Sequence, residues 1–169
     1  MNGGHGQRGG RDRDAAGRPR NARPRDELGR PLPYGAPGVE GMPDDLVLPP
    51  DESLNEAQRL LDTGRPFHAH EVLESAWKAA PDSERELWRA LAQLAVGLTH
   101  ARRGNPVGTV RLLQRAAHRL ERYLSQPPHG VDVAGLITWA RALAQRVEQD
   151  GLAAVPVQEL TCRLRSAMP

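Results

Sequence analysis

Five residues of the segment F-H-A-H-E-V-L-E-S-A-W, Phe67 to Trp77, have side chains and spacing suited to chemistry. Phe67, His70, Glu71, Glu74 and Trp77 fall at offsets of 0, 3, 4, 7 and 10, one stripe of an α-helix. A second stripe, Ala69, Val72, Leu73, Ala76 and Ala80, is plainly apolar. A histidine and a glutamate at i and i+4 put two metal-type donors side by side, as helical bundles do when they hold Zn²⁺, Fe²⁺ or Mn²⁺. The same groups also close into a hydrogen-bond network when a cation balances the carboxylates.

The next helical segment carries its own polar stripe, Arg89, Gln93, Gly97 and His100, spaced four, four and three residues apart. Folding the two segments antiparallel about Pro81 predicts Glu74 opposite Arg89, and His70 and Glu71 near Gln93. It also predicts room beside Phe67 at Gly97, with His100 at the open end. The leading expectation is a buried network in which Glu74 pairs with Arg89, Gln93 and a histidine satisfy the rest, and Phe67 and Trp77 exclude water. A pocket for a small ligand or anion is a second reading. A third makes His70, Glu74 and His100, with Glu71 in reserve, ligands of a divalent transition metal; beyond that the residues name no cofactor. Against the metal, Arg89 competes for the Glu74 oxygens, and H-E-x-x-E lacks the second histidine of H-E-x-x-H.

Positioning these stripes takes helices, and the sequence predicts five. The first covers about Leu54 to Thr63, opened by Ser53 and Glu56 as a capping box and closed by Gly64. The second starts at Pro66 and reaches about Ala79. Ser83 and Glu86 open the third, which lasts to about Arg103. Asn105 and Pro106 start the fourth, carried by Val110, Leu113, Ala117, Leu120 and Leu124. The fifth follows Asp132 as N-cap and buries Leu136, Ile137, Ala140, Leu143, Ala144 and Val147. Nothing reads as a strand. The expected fold is all-α, a single antiparallel helical bundle over residues 49–151.

Two flanks complete the chain. Residues 1–48, dense in Gly, Pro, Arg and Asp, are expected to form a disordered arm, whose second half, L-P-Y-G-A-P-G-V-E-G-M-P, has the composition of an extended strap. Residues 152–169 form a tail in which Val157, Leu160 and Leu164 predict a short helix against the bundle. The corners G-R-P at Gly64 and G-N-P at Gly104 lie forty residues apart, which raises the alternative of a tetratricopeptide-like hairpin repeat.

A chain of 169 residues with net charge +2 has room for one core. Arg8 through Arg30 hold eight positive charges against four acids, whereas residues 50–169 hold fifteen against fourteen, so nucleic acid is disfavoured, with the Arg-rich arm as one place to engage it. On the fourth helix, Arg111, Arg115, His118, Arg119 and Arg122 share one side, expected to be a solvated face, with docking to an acidic protein or RNA as the alternative. Trp139 is expected at the edge of the core. Cys162 is the only cysteine, which excludes an intrachain disulfide and a multi-cysteine zinc site. The absence of an apolar leader or a spanning-length run predicts a soluble cytoplasmic protein with no membrane contact.

The F-x-A-H-E-x-L-E-x-x-W core, followed by Q-L-A-V-G-L-T-H and R-R-G-N-P-V-G-T-V-R-L-L, resembles the bacterial and archaeal family called domain of unknown function 309. The resemblance covers about Leu54 to Asp132 and maps family positions onto Phe67, His70, Glu71, Glu74, Trp77, Gln93, His100, Gly104, Asn105 and Gly108. Thr109 stands where the pattern has alanine. The resemblance implies an all-α bundle and brings no established activity. No Ser-His-Asp order, Gly-rich phosphate loop or nucleophile motif is present, so no residue is assigned a catalytic role. The expected function is a non-enzymatic interaction or ligand-binding domain, with a protein or a small ligand as partner. The rival is a metal-dependent hydrolase or oxidoreductase.

Overall fold

The computed structural model describes residues 23–41, 43 and 46–167. The expected disorder of residues 1–22 lies outside the described residues, as do Met42, Asp44 and Asp45 of the strap region. Five α-helices follow in order: α1 (Pro50–Asp62), α2 (Pro66–Ala79), α3 (Arg85–Arg102), α4 (Pro106–Leu120) and α5 (Val133–Asp150). Among the described residues there is no β-strand, and the all-α bundle is the fold.

Two helix starts differ from expectation for physical reasons. Helix α1 begins at Pro50, with Asp51 and Glu52 set against the positive end of its dipole. Ser53 is therefore inside the helix, where its hydroxyl donates to the Leu48 carbonyl at 3.2 Å, and Glu56 pairs with Arg59 instead of closing a capping box. At α3 the capping box is replaced from a distance. The Tyr123 hydroxyl accepts from the Leu87 N–H at 3.1 Å and donates to the Ser83 carbonyl at 3.0 Å. That contact accompanies a 3₁₀ turn, Glu121–Tyr123, which ends α4 earlier than expected and leaves Leu124 50% exposed. The caps at Asn105 and Asp132 are as expected, each side chain accepting from the N–H three residues on, at 3.1 and 3.0 Å.

The α1–α2 and α3–α4 corners are built alike. Gly64 and Gly104 have φ of 74° and 75°, the left-handed conformation open to glycine. Arg65 N–H returns to the Leu60 carbonyl and Gly64 N–H to Leu61, and the same pair recurs from Asn105 to His100 and from Gly104 to Ala101. Both are Schellman closures with proline at the first position of the next helix.

Each helix packs chiefly on its neighbour in sequence, so α3 lies between α2 and α4. Leu87, Trp88, Leu91, Leu94, Ala95 and Leu98 are buried, in one core with Leu54, Leu73, Leu113 and Leu136. Trp139 packs at its edge, half-buried.

The tail corrects a sequence expectation. Short 3₁₀ turns at Leu152–Ala154 and Val157–Glu159 replace the expected helix, and Val157 is 57% exposed. Residues 160–165 instead run between the first and fifth helices. The Gln58 side chain donates to the Cys162 carbonyl at 3.0 Å and accepts from the Leu164 N–H at 2.8 Å. Asp132 N–H reaches the Leu164 carbonyl, and Leu160, Cys162 and Leu164 are buried. Helical spacing in three residues could not reveal this, because an extended segment that inserts every second side chain shows apolar residues at 160, 162 and 164 as well.

Candidate functional site

Helix α2 forms its two faces as the spacing predicts. Ala69, Val72, Leu73 and Ala76 are buried, while Phe67, His70, Glu71, Glu74 and Trp77 are all half-buried. The partners of the second face differ from those expected. His70 Nε2 lies 3.3 Å from Glu74, whose other oxygen lies 3.2 Å from Lys78. Arg89 does not pair with Glu74: its guanidinium stands 6.0 Å from the Trp77 ring centre and 3.8 Å from Glu86.

The rest of the α3 stripe turns to α4. Gln93 accepts from Arg119 at 3.1 Å, and Arg119 also pairs with Glu86. A Cβ placed on Gly97 would meet Leu113 at 3.2 Å, so this glycine serves the α3–α4 contact and is not the space beside Phe67. His100 Nδ1 is 3.0 Å from the Asn105 amide, and the His100 ring also leaves room only for glycine at position 108. Thr109 keeps the corner intact, because its buried hydroxyl donates to the Asn105 carbonyl at 2.7 Å.

These partners separate the side chains named as metal ligands. His70 and Glu74 do meet, but His100 belongs to the α3–α4 corner. Among the described residues, no group of three or more His, Cys, Asp and Glu side chains is placed to hold a metal ion. Cys162 is buried and its thiol is pushed up to about 12, chiefly by burial and further by Asp62, which suppresses the reactive thiolate.

What covers the Phe67 and Glu71 end of the α2 face is the chain's own arm. Residues 23–41 form an irregular strap around a turn in which Asp26 accepts from the N–H groups of Leu28 and Arg30, both at 2.9 Å. Gly29, buried at φ 72°, lies against Phe67 so closely that an added Cβ would fall 2.2 Å from the ring. The Arg25 guanidinium stands 5.9 Å from the same ring centre, and Arg103 donates to the Leu28 carbonyl. Gly41 passes over Glu71, where an added Cβ would lie 3.5 Å from both carboxylate oxygens.

His68 was on neither stripe, yet it is only 4% exposed and packs edge-on to Phe67 at 5.8 Å. Burial, then the charge of Arg65, pushes its pKa down against the opposing effects of Glu27 and a hydrogen bond to the Glu40 backbone. A second cluster was also not legible. Glu84 holds His129 at 2.7 Å and the Trp88 indole at 3.2 Å, with His129 at the unusual φ of 55°. Burial raises the Glu84 carboxyl, but hydrogen bonds from His129 and Trp88 and the His129 charge outweigh it and hold it below its ordinary value. Forty-five residues separate Glu84 from His129, so no local spacing signals the pair.

His70 and His100 are held below the ordinary 6.5 as His68 is, each mainly by burial. Glu74 opposes the shift at His70; Lys78 adds to it, and Arg103 and Arg111 add to it at His100. The unfolded chain therefore binds protons more readily than the folded one. Stability contributed by these groups is complete above about pH 6.5 and is lost as pH falls toward their folded values. The midpoint of urea unfolding is expected to be lower at about pH 5.5 than at about pH 7.5, and His68→Leu should flatten that slope. A wild-type midpoint that is level or rises on acidification would contradict the burial argument.

The geometry defines the class: an all-α stack of two helical hairpins and a fifth helix, with a His/Glu face on the second helix. A family model described as Domain of unknown function (DUF309) matches residues 54–112, from the start of the α1 core into α4. The resemblance carried by the α2 motif thus holds over that segment. The chain is also 32% identical over 84 residues to the Uncharacterized protein YpuF of Bacillus subtilis (strain 168), a match spanning 48% of each chain. No solved structure matches the chain. No helix among the described residues is long and apolar enough to cross a membrane.

Proposed function

We propose that the protein is a non-enzymatic interaction domain whose α2 face grips an extended chain segment. The observation that carries this reading is Gly29 packed against Phe67, whose ring also meets His68 and His70, while Gly41 passes over Glu71 one turn on. Backbone lying on a ring, with a flanking arginine reaching a strap carbonyl, is how a helical surface holds a segment of irregular structure without requiring long side chains from it. The repeated Gly-x-Pro corners support the tetratricopeptide-like form of the same reading, in which stacked hairpins present helix faces to peptides. The polar residues Glu71, Glu74 and His70 then select the segment and have no reaction to perform.

Gly29→Ala tests this in the full-length chain. Its methyl would have to enter the Phe67 ring, and its φ is disfavoured for alanine, so the strap is expected to lift. Amide exchange reports it: Leu32 and Val39 N–H groups bond the Pro24 and Arg25 carbonyls. Their protection should fall at least about tenfold in the variant, while the amides of α3 keep theirs. Fast exchange at Leu32 and Val39 already in the wild type would remove the basis of the proposal.

A further inference from the structure

The geometry points to a second docking surface, along α4, for an acidic amphipathic helix of a partner protein. Two adjoining grooves meet on this face. One, of about 530 Å³, is lined by Pro106, Val107, Val110, Val147 and Glu148. The other, of about 550 Å³, is lined by Arg115, His118, Arg119 and Arg122. Arg111 and Gln114 belong to both, so the surface is continuous from an apolar end to a basic one.

Val110 and Val147 are held by the core, but Val107 and the arginines are not explained by the fold. Val107 is 74% exposed, the most exposed large aliphatic side chain among the described residues. Arg119 is occupied by Glu86 and Gln93, and Glu121 is occupied by His118 and Arg141. Arg111, Arg115 and Arg122 have no carboxylate within ion-pair distance among the described residues, although the α4 stripe holds them on one side at steps of four and seven. Three unpaired guanidinium groups in a row favour a partner that carries carboxylates at helical spacing.

The apolar end decides between an acidic helix and nucleic acid. A phosphate backbone would use the arginines and leave Val107 and Val110 exposed. Single-stranded binders add aromatic stacking platforms, and neither groove is lined by Phe, Tyr or Trp, His118 being the one aromatic ring. An amphipathic helix uses both ends: leucine-type anchors over Val107 and the exposed part of Val110, and acids over Arg111, Arg115 and Arg122. Glu148 sets its direction, because it repels acids at the apolar end.

The test uses the full-length protein and three fluorescent probes. One is a 16-residue amphipathic peptide of Leu, Glu and Ala with a single Lys at one end; the others are the same peptide with Gln for Glu, and oligouridine RNA. Anisotropy should show saturable binding of the first probe, weakened about tenfold or more both by Arg111→Glu/Arg115→Glu and by Val107→Ser, with the Gln peptide bound no better than by the double variant. These positions are exposed, and unchanged thermal melts should accompany the losses. Tighter binding of the RNA, binding of the Gln peptide equal to the Glu peptide, insensitivity to Val107→Ser, or no saturable binding of the Glu peptide would each overturn the assignment.

Discussion

Ending the chain at Glu159 is expected to cost on the order of 5 kcal/mol, a large part of the roughly 5–15 kcal/mol that holds a domain folded. The deleted residues include Leu164, which is 1% exposed, and Leu160 and Cys162, each 6% exposed. A buried leucine cut to alanine alone loses about 2–5 kcal/mol. The truncation also removes two of the three hydrogen-bond partners of the Gln58 side chain, leaving Asp62, and takes its carbonyl from the N–H of Asp132, the N-cap of α5. Denaturant unfolding followed by circular dichroism measures the loss. Because the shortened chain can fail to fold outright, Leu164→Ala in the full-length protein is the companion, with an expected loss of about 2–5 kcal/mol. If both melt like the wild type, residues 160–165 do not close the first helix against the fifth.

Gly97→Leu is expected to cost about 1–3 kcal/mol or more, the range for extra carbons forced into a packed interior. A single Cβ at Gly97 would already stand 3.2 Å from Leu113 Cδ2 and 3.6 Å from Leu112 Cβ, so three further carbons would push α3 and α4 apart. Gly97→Ala separates crowding from glycine's backbone cost. Alanine gains about 1 kcal/mol of helix propensity and asks only a few tenths of an ångström from the end of Leu113, so its effect stays within about 1 kcal/mol of zero. The same melts decide the register of the site. Were Gly97 beside Phe67, as the antiparallel folding of the two stripes predicts, Leu would be accommodated at the strap and leave the core untouched.

The five helices were legible because each announces itself locally. An amphipathic period identifies the buried face, as Val72, Leu73 and Ala76 do for α2. Glycine and proline at Gly64–Pro66 and Gly104–Pro106 fix where one helix stops and the next begins. Asn105 and Asp132 cap the residues right beside them. The half-buried face from Phe67 to Trp77 was legible for the same reason, since side chains three and four apart must share a side of the helix.

What that face meets was decided only by the tertiary structure. Helix α3 is enclosed by α2 and α4, so its stripe of Arg89, Gln93, Gly97 and His100 had two neighbours to choose from, and periodicity carries no information about which. Gln93 went to Arg119, Gly97 to Leu113 and His100 to Asn105, leaving Glu74 with His70 and Lys78 on its own helix. Tyr123 capping α3, His129 on Glu84 and Leu164 beneath Gln58 likewise join residues 36 to 106 positions apart. Helix geometry is set by neighbours within about four residues, whereas the choice of partner across the fold depends on which packing of all five helices buries the most apolar surface at once.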